Sequence, residues 1–362
     1  MIPLSRPHVD EEVKAAALRA LESGRYILGE ECRAFEAEFA AYIGTADAVL
    51  TASGTAALAL GMRALDLPSG GEVLVPAHTA FPTVEAILLA GGRPVFVDVD
   101  EHLTMDPTDA ARKVTSRTVG LLPVHLYGHP ADLDPLREVA AGHDFWLVED
   151  ACQAHGALYH GLRVGGLGRV GCFSFYPSKN LTVLGDGGVL TTNDPGVAAR
   201  CRRLRDHGRR EKDVHLEVGD NLRFNEVQAA VGRVLLKQLD AGNARRRALA
   251  ARYARGLRDL PIAIPHEADW AQSVYHLYVI QTPRRDSLRA FLRDRGIESG
   301  VHYPIPCHRQ PAVSHLPPVT LPRTEALVGE ILSLPMFPDL DEASVDTVVR
   351  SIREFFNGQG RA

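Results

Sequence analysis

Between residues 48 and 192 the chain repeats one alternation, a short apolar run and then a stretch with helical spacing. The apolar runs fall at 48–50, 72–75, 94–97, 119–124, 145–148, 172–175 and 189–192. Most carry no polar face, as in strands buried on both sides of a sheet. Helical spacing fills gaps between the earlier runs, at 55–65, 83–89 and 133–140. Strand and helix in alternation predict an α/β fold, a layered sheet with helices on both faces.

Beyond residue 193 the texture changes to helices rich in Arg and Ala, at 197–204, 227–239 and 244–257. A mixed section follows from 261, with a strand at 276–280, a helix at 288–294 and a closing helix at 343–356. The division expected is a large domain over 1–240 and a smaller C-terminal α+β domain over 241–362. No internal repeat or low-complexity tract interrupts either part.

A chain of 362 residues with 45% hydrophobic content can bury two such cores. Its formal net charge of −5 argues against nucleic acid or an anionic membrane as a partner, since both require a concentrated basic face. The first ten residues lack the basic and then apolar pattern of a secretory signal, and no apolar run has the length of a membrane span. A cytosolic enzyme is expected. Cys32, Cys152, Cys172, Cys201 and Cys307 are odd in number and scattered, so buried reduced thiols are expected rather than disulfides or a metal site.

Three segments carry chemistry. In Thr51-Ala52-Ser53-Gly54-Thr55-Ala56-Ala57 a strand stops and a helix starts, where free amides form an anion cradle. Alone, it reads better as an ordinary cap made by Ser53 or Thr55. In Phe145-Trp146-Leu147-Val148-Glu149-Asp150 an apolar strand ends in two carboxylates. Ligands of open α/β sheets sit beyond the carboxyl ends of strands, which places Asp150 where chemistry happens. In Cys172-Phe173-Ser174-Phe175-Tyr176-Pro177-Ser178-Lys179 a lysine follows a buried strand and precedes the glycine turn Gly185-Asp186-Gly187-Gly188. A desolvated lysine there reacts as a free amine. Together the three supply what pyridoxal phosphate requires, a phosphate anchor, a partner for the ring nitrogen and an imine-forming amine.

These motifs, in this order, resemble the sugar aminotransferases of the DegT/DnrJ/EryC1/StrS family, and the similarity runs from Pro3-Leu4-Ser5-Arg6-Pro7 to Ser333-Leu334-Pro335-Met336. The resemblance implies the fold type I of pyridoxal-phosphate-dependent transferases, with a mixed, mostly parallel sheet. It also implies an amino donor, glutamate or glutamine, and a ketosugar acceptor, usually nucleotide-linked. By matching positions, Lys179 holds pyridoxal 5′-phosphate as an internal imine and Asp150 pairs with the ring nitrogen, pyridoxamine phosphate arising in the half-reaction. Thr55, Ala56 and Ser174 match phosphate contacts, Gln153 lies near the phenolic oxygen and His155 orients Asp150. Asn221 and Arg223 match a loop that reaches the neighbouring subunit's site, which implies a homodimer with composite active sites. Tyr26, His302 and Tyr303 match segments near the substrate. Members place an aromatic ring over the pyridine directly after the Thr of Pro76-Ala77-His78-Thr79-Ala80-Phe81. That position is Ala80 here, which leaves the stack to Phe81, one residue later, or to no aromatic.

Gly166-Leu167-Gly168-Arg169-Val170-Gly171 has the spacing of a dinucleotide-binding loop, but that loop must follow a strand and open a helix. Here a strand follows, so the glycines read as a turn. No metal site is expected at His302, Cys307 and His308, where further ligands at suitable spacing are missing. The rival readings are a pyridoxamine-dependent sugar dehydratase on the same fold and a noncatalytic regulator. Lys179 and the scattered cysteines oppose the first, and the presence of both Lys179 and Asp150 opposes the second.

Overall fold

The computed structural model describes residues 1–358. Two helices, α1 (Glu11–Glu22) and α2 (Glu30–Ile43), lead into a seven-stranded sheet. Its strands are β1 (Asp47–Thr51), β2 (Glu72–Pro76), β3 (Arg93–Val97), β4 (Thr118–Leu121), β5 (Trp146–Asp150), β6 (Val170–Ser174) and β7 (Gly188–Thr192). All seven apolar runs are thus members of one sheet, in the order β1-β7-β6-β5-β4-β2-β3. Strand β7 is antiparallel to both neighbours and every other pairing is parallel.

Side chains of a strand alternate between faces, and the cores divide accordingly. Leu50, Leu74, Leu147, Phe173 and Val189 enter one core with α1, α2 and α5 (Leu133–Ala141). Their neighbours Val49, Val73, Val148, Cys172 and Leu190 enter the other, with α3 (Gly54–Ala64), α4 (Phe81–Leu89) and α6 (Pro195–Leu204). Covering both faces buries the strands completely, which explains their unbroken apolar runs.

One expectation is corrected. The helical runs at 227–239 and 244–257 form a single helix, α7 (Glu226–Leu257), capped by Asn225 through the Gln228 amide. The intervening Gly242-Asn243 looks like a break but is not. Asn243 turns inward, its Nδ2 donating to the His155 carbonyl at 2.8 Å and its Oδ1 accepting from Asn180. Leu235 and Leu239 of the first half lie in the sheet core, and Leu249, Tyr253 and Leu257 of the second half lie in a separate core. Position 240 therefore falls within this helix. The second core also holds the antiparallel pair β8 (Tyr278–Gln281) and β9 (Ile331–Leu334), with α8 (Arg285–Arg293) and α9 (Glu342–Asn357). The chain start joins it, Ile2 bridging to Ile297 and the Leu4 carbonyl accepting from the Met336 amide.

The sheet register fixes where a ligand can lie. Thr51 and Ser174 both pair with Gly188, and Asp150 pairs with Cys172, so β1, β5 and β6 end along one edge. No helix among the described residues is long and apolar enough to cross a membrane.

Candidate active site

The first wall of the site is the start of α3. Ser53, extended at φ −164°, caps the helix by accepting from the Ala56 amide at 3.1 Å. That leaves the Gly54 and Thr55 amides without intrahelical acceptors. A Cβ on Gly54 would stand 2.7 Å from the Ser174 Cβ and 2.9 Å from the Cys152 Sγ, so only glycine lets the turn lie against the end of β6. Across β7 the fit is equally close, a Cβ on Gly188 meeting the Ser53 backbone at 2.4 Å. Thr55 and Ser174 line the resulting cleft, of about 620 Å³.

Asp150, 3% exposed, stands at the floor. Its Oδ1 accepts from the Cys152 amide at 3.1 Å and its Oδ2 from the Thr83 hydroxyl at 2.7 Å. These bonds orient the carboxylate, which corrects the expectation that His155 does so. The Asp150 oxygens take their bonds from Cys152 and Thr83 rather than from the His155 ring, which packs against Phe173 and Phe175. Burial pushes this imidazole down to about 3, so it stays neutral.

The adjacent Glu149 projects to the opposite face of the sheet and explains the glycine-rich turn. Its carboxylate accepts from the amides of Gly165, Leu167 and Gly168 at 2.5–2.7 Å, and from the His125 Nε2 at 3.1 Å. The His125 Nδ1 accepts from the Ala131 amide, so the ring proton sits on Nε2. The loop that imitates a dinucleotide fingerprint therefore holds an internal carboxylate.

Lys179 reaches the cleft from the loop after β6, its amide donating to the Tyr176 carbonyl at 2.9 Å. Burial lowers its amine's pKa, opposed by the nearby carboxylate of Asp150, and so favours the neutral nucleophile. The neighbouring Asn180 is held fast, its Nδ2 donating to the Val274 carbonyl and the Asn243 Oδ1, its Oδ1 accepting from the His276 Nδ1.

The facing wall joins both parts of the molecule. The Gln153 Oε1 accepts from the Tyr127 amide at 2.8 Å, and its Nε2 donates to the Tyr303 hydroxyl at 3.1 Å. Burial pushes that phenol up to about 12. The Tyr127 hydroxyl donates to the His302 carbonyl, and the His302 ring meets the Ser333 hydroxyl at 2.9 Å. Both Ala80 and Phe81 border the cleft, Phe81 packing partly into the core beneath.

Other predicted positions lie apart. Tyr26 is half exposed, its hydroxyl 3.4 Å from the Leu21 carbonyl. Asn221 is exposed, and Arg223 pairs with Asp206 at 3.4 Å. None of the three borders this cleft. Cys307 and His308 turn from His302 to the Thr79 carbonyl and Glu325. Among the described residues no cluster of His, Cys, Asp or Glu is arranged to hold a metal ion. Sequence reasoning missed His276, which borders the cleft, and Thr83.

The model of the DegT/DnrJ/EryC1/StrS aminotransferase family matches residues 7–353. The chain belongs to this aminotransferase family. Among its relatives is the dTDP-3-amino-3,4,6-trideoxy-alpha-D-glucose transaminase of Streptomyces venezuelae, 48% identical over 95% of this chain and 92% of that protein. The crystal structure of S. venezuelae DesV with a ketimine intermediate matches with a TM-score of 0.92 at 48% identity, covering 95% of this chain and 94% of that one. Bacillus subtilis NtdA, solved with bound pyridoxamine phosphate, matches at 0.90 and 30% identity, covering 96% and 82%. As a DegT/DnrJ/EryC1/StrS aminotransferase, the chain has its lysine, its strand-end carboxylate and its helix-start cradle in one cleft.

Proposed function

We propose that this aminotransferase moves an amino group from glutamate or glutamine to a ketosugar, nucleotide-linked like the sugars its relatives are named for, within a cytosolic pathway that builds amino sugars. The observation that carries the reading is the meeting of Lys179 and Asp150 in a cleft walled by the free amides of a helix start. Pyridoxal phosphate fits these residues. The close approach that Gly54 permits leaves amides and the Ser174 side chain bordering one concave surface, the chemistry a phosphate needs.

When bound, the cofactor supplies an electron sink for the carbanion formed at the substrate carbon. The protein does the rest. Thr55 and Ser174 hold the phosphate, the Ala56 amide joining them by exchanging the Ser53 hydroxyl for a phosphate oxygen, and Asp150 keeps a proton on the ring nitrogen. Gln153 meets the phenolic oxygen and Phe81 covers a ring face. The Lys179 amine, favoured as neutral by burial, carries the cofactor and later moves the proton at the substrate carbon. His302 and Tyr303 border the sugar, and the family resemblance assigns Tyr26, apart from its own chain's cleft, to the substrate entrance. Asn221 and Arg223, away from their own cleft, complete the partner's site in a homodimer. Lys179 sets this reading above a dehydratase in which histidine replaces the lysine.

Borohydride reduction of the holoprotein followed by peptide mapping tests the assignment. The cofactor should be recovered on the Lys179 peptide, and Lys179→Ala should carry none. Attachment to another lysine would sink the mechanism.

A further inference from the structure

Two buried hydroxyls stand behind the carboxylate of Asp150 in a line. Thr79 Oγ1 and Thr83 Oγ1 are 3.0 Å apart, and Thr83 Oγ1 is 2.7 Å from Asp150 Oδ2; both threonines are 2% exposed. The direction of the line follows from proton counting. An ionised carboxylate only accepts, so the Thr83 hydrogen goes to Asp150. Thr83 then has only lone pairs to offer, and Thr79 must donate to it. The order is Thr79 to Thr83 to Asp150.

The backbone holds this line from both sides. Thr83 lies in the first turn of α4, its amide donating to the Ala80 carbonyl at 3.1 Å. The Thr79 carbonyl accepts from the Cys307 Sγ at 3.4 Å, and the Cys307 amide donates to the Ala77 carbonyl at 2.8 Å. With Oδ1 already fixed by the Cys152 amide, the second bond removes the carboxylate's last freedom to turn about its Cβ–Cγ axis.

We propose that Thr83, supported by Thr79, is a positioning residue that sets the orientation and acidity of Asp150 towards the cofactor's ring nitrogen. This rests on the reading of the cleft as a pyridoxal phosphate site. Donation to Oδ2 disperses charge on the carboxylate and leaves the shared proton on the ring. Without that donation Asp150 takes more of the proton, and the ring withdraws fewer electrons from the nitrogen of Lys179.

The test uses holoprotein reconstituted with pyridoxal phosphate, a pH titration of its visible absorbance, and single-turnover conversion by L-glutamate. Thr83→Val should raise the titration midpoint by about one pH unit and slow the half-reaction roughly 10- to 100-fold, the scale of one charge-assisted hydrogen bond. Thr83→Ser, which keeps the hydroxyl, should restore both, and Thr79→Val should shift both in the same sense by less. Unchanged midpoints in Thr83→Val and Thr79→Val overturn the proposal. If Thr83→Val does not fold, Thr79→Val decides, a shift supporting the relay and no shift overturning it. A wild-type protein that forms no visible chromophore with pyridoxal phosphate overturns the underlying reading, and the proposal with it, an outcome distinct from a normal chromophore whose titration ignores both threonines.

Discussion

At the scale of single residues, two neighbours on β5 have opposite fates decided by which face each takes. Glu149 turns into a nest of amides and is spent on structure, whereas Asp150 turns to the cleft and keeps its chemistry. Asp150→Asn keeps the shape but offers one acceptor oxygen where the Cys152 amide and the Thr83 hydroxyl both donate, and it removes the charge that holds a proton on the ring. Cofactor binding should survive, because the α3 cradle is untouched, while turnover falls roughly 100- to 1,000-fold. Cofactor content and kcat, measured on the same preparation, check both halves of that expectation. Lys179 and Asp150 stood out only because three segments pointed the same way, a helix-start cradle, an acid at a strand end and a lysine after the next strand; each alone reads as an ordinary residue. Thr83 did not stand out, because its meaning depends on a partner 67 positions away. The role expected of His155 came from the family resemblance alone, and the ring lies among phenylalanines instead.

At the scale of elements, the strands were readable because burial on both faces leaves apolar runs that are too short for helices and rich in β-branched residues. The long helix α7 was read as two because Gly242 and Asn243 carry turn propensity, which tertiary contacts override. The two glycines of this helix make a paired expectation. A Cβ on Gly242 meets only Pro338, at 3.5 Å, an ordinary contact. Gly242→Ala should therefore stabilise the protein by about 0.5–1 kcal/mol through the helix propensity of alanine. A Cβ on Gly232 would stand 2.5 Å from two carbons of the buried Phe35 ring, which is hemmed in by Phe39 and Phe175. Gly232→Ala should cost about 1–3 kcal/mol by overpacking. Urea unfolding of the two variants should give midpoints that move in opposite directions.

At the scale of the whole molecule, a shared site makes a prediction that no single chain can satisfy. Asn221 and Arg223 lie away from their own cleft, and if each subunit lends them to its partner, complementary defects can be separated. Mixing Lys179→Ala protein with Asn221→Ala/Arg223→Ala protein should restore activity once subunits exchange, since one site of the mixed dimer inherits both defects and the other neither. Absence of recovery despite demonstrated exchange would place both residues in their own chain's site. The mechanical link between the two cores is α7 itself. Its 32 residues, at about 1.5 Å each, make an unbroken rod on the order of 48 Å long. One end is clamped under the sheet and the other carries the smaller core. Between them Asn243 grips Asn180, the residue beside Lys179, and Arg246 grips the carbonyls of His276 and Met336. A twist applied to the smaller core would therefore be carried by this shaft to Asn180, the neighbour of the reactive amine.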